Sequence, residues 1–190
     1  MIRRAGLILS LLVLCCAIGA PACRRATVAF EHGSPVTAGQ RAAQQALTVY
    51  IFMRADCPVA NRYIPTIRRL AQDYADRPVT LRLVYPHADD TSARRHAREA
   101  GLDLPVVTDP RFELVTHTGA QVTPEAAIET PSGEVLYCGR IDDRYVDFGR
   151  ARRAAERHDL REALEAALAG RPVPPPGGPA IGCYIHGVRP

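Results

Sequence analysis

The stretch Thr48-Val49-Tyr50-Ile51-Phe52-Met53-Arg54-Ala55-Asp56-Cys57-Pro58-Val59-Ala60 decides the fold. Residues 48–53 are β-branched, aromatic and apolar, with no polar face. Such a run predicts a strand covered on both sides, as in a parallel sheet. A helix is expected over 59–75, because Tyr63, Ile67, Leu70 and Tyr74 form one apolar stripe. Arg62, Arg68, Arg69, Gln72 and Asp73 take its other faces, and Pro78 stops it. Cys57 therefore stands where a buried strand gives way to an amphipathic helix. Unpaired backbone N–H groups and the helix dipole favour a thiolate there, and the thiolate is the nucleophile. Asp56 opposes this, since a neighbouring carboxylate disfavours a second negative charge. The plainer reading is a buried, inert cysteine.

Outward from this junction the chain alternates strand and helix. Val79 to Tyr85 predicts a second strand, with Leu81, Leu83 and Tyr85 alternating. Asp89-Asp90-Thr91 caps a helix through Ala100, and Gly101 suits a left-handed terminus. Together these make a βαβ unit. Leu104 to Val107 is a short apolar segment, and Arg111 to Thr116 suits a helical turn. Residues 126–129 and 135–138 flank Pro131 and Gly133, which predicts a β-hairpin. Counting about the turn puts Cys138 opposite Glu125 and near Cys57. Asp159 is the expected N-cap of a last helix whose face is Leu160, Leu164 and Leu168, ended by Gly170 and Pro172.

Residues 171–190 form a proline- and glycine-rich arm. In polyproline form, Arg171 to Pro179 would span on the order of 28 Å. The radius of gyration of such a domain is roughly 15 Å. Cys183 therefore sits on a tether that reaches most of the surface.

The other end of the chain carries a targeting signal. Arg3 and Arg4 precede an apolar run from Leu7 to Ala20, followed by Ala20-Pro21-Ala22. This reads as a signal peptide over 1–22, implying export to the periplasm or another extracytoplasmic compartment. Residues 23–47 read as a leader with a short strand near Thr27–Phe30, and the domain proper spans 48–170. Cleavage would leave Cys23 first, so membrane anchoring through a lipidated Cys23 stands beside a soluble product. The mature cysteines are Cys23, Cys57, Cys138 and Cys183. An exported protein sits where disulfides persist.

Composition narrows the chemistry. The chain has 190 residues, no lysine and no tryptophan, and its 24 basic residues are all arginine. That excludes Schiff-base chemistry and the lysine-bearing phosphate loop. No basic stripe with interleaved aromatics is present, so no nucleic-acid partner is expected. No cofactor motif or histidine pair of metal-ligand spacing is present.

The strand, then Cys57-Pro58-Val59-Ala60, then Pro65 eight positions after Cys57, resembles the thioredoxin-like superfamily. Val122-Thr123-Pro124 is similar to that family's cis-proline loop. Leu104 to Asp109 and Gly119 to Pro124 resemble its redoxin branch. The Asp56-Cys57-Pro58 motif, the Gly139-Arg140-Ile141-Asp142-Asp143 motif and the Gly182-Cys183 tail resemble a bacterial redoxin subgroup. The resemblance implies an α/β three-layer sandwich, a mixed central sheet with flanking helices, extended by the C-terminal arm. It also implies an active-site Cys57, with Pro58, Thr123 and Pro124 presented to a substrate chain. Ala60 replaces the family's second cysteine, and Tyr50 and Arg54 stand where the peroxiredoxin pattern has proline and threonine. A local Cys-x-x-Cys disulfide is therefore ruled out.

The expectation is an exported thiol oxidoreductase. Cys57 attacks a protein disulfide or a small peroxide, Cys183 or Cys138 resolves the product, and an external thiol donates electrons. The Ile181-Gly182-Cys183-Tyr184-Ile185 segment suits docking as an extended strand; a frayed tail or a structural Cys138–Cys183 link are the alternatives. Asp56, Arg140 and Arg144 are supporting candidates, the arginines as thiolate stabilisers or as ion pairs holding the hairpin to the last helix. His87 is expected at the same sheet edge. Two rival readings are a copper-binding member of the fold, using Cys57 with Cys138 or Cys183 and His87 or His186, and an inactive interaction module.

Overall fold

The apolar run around Ile51 forms β1 (Leu47–Phe52) in a computed structural model that describes residues 46–187. The expected signal peptide over 1–22, Cys23 and nearly all of the expected 23–47 leader, including the strand anticipated near Thr27–Phe30, lie outside the described residues. After β1 come α1 (Pro58–Arg62), α2 (Ile64–Asp73), β2 (Val79–Tyr85), α3 (Asp90–Glu99) and β3 (Val106–Thr108). Then follow α4 (Glu113–Thr118), β4 (Val122–Thr123), β5 (Glu125–Glu129), β6 (Val135–Gly139), β7 (Tyr145–Asp147) and β8 (Arg150–Ala151). The last elements are α5 (Asp159–Leu168) and β9 (Cys183–Tyr184).

Five strands make one mixed sheet in the order β3-β2-β1-β5-β6. β1, β2 and β3 run parallel, and β5 runs antiparallel to β1 and to β6. Side chains alternate across the sheet and bury two separate clusters. On one face Val49, Ile51, Leu83 and Ile128 pack against Ile67, Leu70, Ala93 and Leu164 of the helices. On the other, Phe52, Val84 and Ala127 meet Val115 of α4 and Ile185 of the arm. The expected α/β sandwich with a mixed sheet is the observed one.

Three local expectations are corrected, and one element is new. The helix over 59–75 is two helices, broken at Tyr63. Pro65 has no N–H to give the Asn61 carbonyl and its ring crowds that turn, so Tyr63 bonds to Ala60 O instead, at 3.0 Å. The stripe itself holds: Tyr63, Ile67, Leu70 and Tyr74 are all buried. Cys138 lies opposite Ala127, not Glu125, because the hairpin loop closes between Thr130 and Glu134 and a bulge follows Ile128. Asp159 is the first residue of α5 rather than its cap; its carboxylate is turned to Arg140. Beyond the hairpin, β7 and β8 form a small two-stranded ribbon that the residue pattern did not announce.

Through residue 187 the arm is neither frayed nor free. Pro176 lies against Gly139, where an added Cβ would meet its ring at 2.6 Å. The Gly177 N–H donates to Asp159 at 2.7 Å. Further on, Cys183–Tyr184 form β9, paired antiparallel with β4.

Candidate active site

Cys57 is the N-cap of α1, with extended backbone (φ −86°, ψ 111°). Its sulfur accepts from the Ala60 N–H at 3.4 Å and donates to the Thr123 carbonyl at 3.0 Å. Pro58 fills the first helical turn, where its missing N–H has no partner to lose. Ala60, standing where a second cysteine would resolve locally, thus contributes its backbone alone. Cys57 is 0% exposed.

Thr123-Pro124 is a cis peptide bond, and Thr123 is buried beside Cys57. The buried Glu125 carboxylate holds this loop, accepting from the N–H groups of Gln121 (2.6 Å) and Val122 (3.1 Å). Across the loop runs β9. Cys183 is in register with Thr123 and Tyr184 with Val122, while the Ile185 N–H donates to Gln121 O at 2.9 Å. Thr123 links the two cysteines: its carbonyl accepts from the Cys57 thiol, and Cys183 lies opposite it in the β4–β9 pair. Both are free thiols.

The two sulfurs are electrostatically unlike. Burial pushes Cys57 up, but the polar surroundings of the sulfur, namely the Cys183 thiol, the Ala60 N–H, Thr123 and the Cys183 backbone, outweigh it. They hold Cys57 below the ordinary thiol range. Burial and the Cys57 sulfur raise Cys183 to about 11. Of the pair, Cys57 is the one poised to ionise.

Asp56 is 72% exposed in its side chain and binds Arg54 at 2.7 and 3.0 Å. Its charge is paired with that guanidinium. The cation whose field reaches Cys57 and Cys183 is likewise Arg54, which also donates to the Tyr184 carbonyl at 3.3 Å. Neither candidate arginine stabilises the thiolate. Arg140 is committed to Asp159 at 2.8 Å, the ion-pair role considered for it. Arg144 sits at the following turn, where its N–H bonds Asp142 at 3.0 Å and its buried Nε has no partner among the described residues. Asp142 also accepts from the Tyr63 hydroxyl at 2.5 Å, and Asp143 accepts from the N–H groups of Glu156 and Arg157. The 139–143 motif is thus a structural knot beneath the site.

Cys138 corrects the other resolving candidate. It belongs to the second cluster, whereas Cys57 and Cys183 belong to the first, so the sheet separates them. Burial and the Glu125 charge push its thiol up to about 12. His87 stacks edge-on against Phe112, and burial and Arg54 hold its imidazole below the ordinary value. Among the described residues no group of three or more His, Cys, Asp or Glu is placed to hold a metal ion.

Sequence reasoning missed Arg54, Glu125 and the tight passage at Gly182. A Cβ on Gly182 would stand 2.1 Å from the Thr123 carbonyl oxygen. The glycine before Cys183 was the visible signal for that passage. Nothing in the residue pattern marks Arg54, whose partner carbonyl is 130 positions away.

The Redoxin family matches over residues 18–140. No curated protein matches the chain. Among solved structures, an uncharacterised conserved protein from Geobacillus kaustophilus is 27% identical, with a TM-score of 0.62, covering 74% of this chain and 77% of that one. A putative thioredoxin from Neisseria meningitidis is 22% identical, TM-score 0.50, covering 68% and 79%. A putative thiol:disulfide interchange protein DsbE from Chlorobium tepidum is 17% identical, TM-score 0.51, covering 66% and 82%.

Proposed function

Since the chain belongs to the Redoxin family and carries a thioredoxin-like fold, we propose that it is an exported thiol oxidoreductase in which Cys57 is the nucleophile and Cys183 resolves. The observation that carries this reading is the helix-capping Cys57 thiol bonded to the carbonyl of Thr123, the residue that faces Cys183 across the β4–β9 pair and forms the cis bond to Pro124. The DsbE-like and thioredoxin-like neighbours favour disulfides as the substrate class. Export rests on the N-terminal sequence pattern; among the described residues no helix is long and apolar enough to cross a membrane.

In the forward step the Cys57 thiolate attacks one sulfur of a substrate disulfide. A new S–S bond forms and the other substrate sulfur leaves as a thiolate. With a peroxide, one oxygen is transferred to the Cys57 sulfur as sulfenic acid, and the other leaves as water or an alcohol. Cys183 then attacks the Cys57 sulfur, its proton passing to the departing thiolate or hydroxide. The products are a Cys57–Cys183 disulfide and the reduced substrate. Two external thiol groups restore the dithiol and become a disulfide. Pairing of β9 with β4 keeps the resolving thiol in place, which supplies the proximity that a local second cysteine would.

Disulfide mapping by mass spectrometry tests this. Reduced protein is exposed to a mild oxidant, and free thiols are alkylated before digestion. A reversible Cys57–Cys183 link, absent in Cys57→Ser together with turnover of disulfide substrates, is expected. A Cys57→Ser protein that reduces disulfides at the wild-type rate overturns the reading.

A further inference from the structure

Resting on that reading, we propose that β9 is the built-in occupant of a polypeptide groove along Gln121–Thr123. An external substrate enters the same groove as an extended chain carrying a small residue, a cysteine and, two positions further, an apolar side chain.

The docked arm is the template. It adds a strand to the open edge of β4 through main-chain bonds that any extended peptide offers: the pairing opposite Val122 and Thr123, and the Ile185 N–H to Gln121 O. Arg54 holds the arm through a backbone carbonyl, that of Tyr184. Strand addition of this kind takes affinity from the backbone and selectivity from pockets for alternate side chains. Three positions are selective here. At Gly182 the chain passes over the Thr123 carbonyl with no room for a Cβ. At Cys183 the chain lies opposite Thr123, whose carbonyl accepts from the Cys57 thiol at 3.0 Å. At Ile185 the side chain, 6% exposed, fills the second cluster between Phe52, Val115 and Ala120. The intervening Tyr184 is 67% exposed, so that position is unconstrained.

Because Cys57 is fully buried while the arm is docked, an incoming chain must displace it. The tethered arm competes at the millimolar effective concentration of an intramolecular ligand. Once the substrate is attached to Cys57, the returning arm expels it from the same groove.

The test uses the full chain with Cys183→Ser, so that no resolving thiol interferes. The probe is the peptide Ile-Gly-Cys-Tyr-Ile, its cysteine joined to thionitrobenzoate as a mixed disulfide. Cys57 thiolate attacks the peptide sulfur, a Cys57–peptide disulfide forms, and the coloured thionitrobenzoate thiolate leaves. Adding Gly182→Ala, which blocks the arm's passage over Thr123, is expected to raise the rate about tenfold or more. Adding Ile185→Asp instead empties the pocket by another route and is expected to do the same. In either background, replacing the peptide's last isoleucine by aspartate lowers the rate about tenfold or more, the effect of one unburied aliphatic side chain. Hydroxyethyl disulfide serves as a small substrate that needs no groove. Peptide rates unmoved by both arm variants, or equal for the isoleucine and aspartate peptides, while hydroxyethyl disulfide still reacts at Cys57, overturn the groove and leave the oxidoreductase reading standing. No reaction at Cys57 with any disulfide overturns that reading, and the groove with it.

Discussion

The Arg140 guanidinium and the Asp159 carboxylate meet at 2.8 Å with side chains only 14% and 2% exposed, and this pair joins three segments distant in sequence. Arg140 ends the hairpin, Asp159 begins α5, and the same carboxylate accepts from Gly177 of the arm at 2.7 Å. Removing one member leaves the other buried and unpaired, which typically costs about 3–5 kcal/mol. Arg140→Ala is therefore expected to lower the denaturation midpoint substantially and to loosen the arm; amide exchange at Gly177 reads the second effect. Burial raises the Asp159 carboxyl, but Arg140 and the Gly177 N–H outweigh it and depress it below the ordinary value. Its contribution is thus complete above the unfolded carboxyl value of about 3.9 and is lost as the pH falls through the folded one. Acid titration of the wild type, set against Asp159→Asn, is expected to show that loss in the wild type alone.

Cys57 and Cys183 titrate in opposite directions from an ordinary thiol, and each shift depends on the other sulfur. Thiolate absorbance assigned to Cys57, by difference from Cys57→Ser, is expected to rise with a midpoint below about 8.5, the unperturbed value. In Cys183→Ala the donor thiol is gone, and the midpoint moves up towards that value. An unmoved midpoint would mean that Cys183 does not hydrogen-bond the Cys57 thiolate.

Cys138 packs beside Ala127 on the far face of the sheet, its thiol held up near 12. Cys138→Ala is expected to leave Cys57–Cys183 formation unchanged and to cost on the order of 1 kcal/mol through lost apolar burial. Loss of the reversible disulfide in this variant would return Cys138 to the redox cycle.

What was legible in the residue pattern was what repeats with a period. The run around Ile51 announced β1 because both of its faces are buried. Tyr63, Ile67, Leu70 and Tyr74 announced a helix face because each turn buries one of them. The hairpin register was not legible, since one bulge moves every partner along and leaves no mark in composition. The arm was half legible. The Ile181–Ile185 segment suggested a docking strand, but the choice of β4 depends on an edge assembled from segments 60 residues earlier in the chain. Arg54 was invisible because its work is to bind a carbonyl that only the fold brings near.

Glu125 follows the cis-proline directly, and its carboxylate is the acceptor for both Gln121 and Val122, the residues against which β9 docks. Truncation to alanine leaves two buried or part-buried N–H groups without their partner, and each such group costs about 1–3 kcal/mol. Burial raises the Glu125 carboxyl, and the two N–H bonds only partly offset it. Its ionisation therefore opposes folding: the associated stability is present below the ordinary glutamate value of about 4.3 and falls as the pH rises through the higher folded value. Two consequences separate this residue from an inert packing role. Glu125→Ala is expected to lower stability and to speed amide exchange at Ile185, whose N–H donates to Gln121 O. It is also expected to abolish that descending limb in a stability profile taken from mildly acid to neutral pH, a limb that Asp159, with its depressed carboxyl, cannot produce. Retention of the limb in Glu125→Ala would assign it to another buried group and separate the loop's hydrogen bonding from its titration.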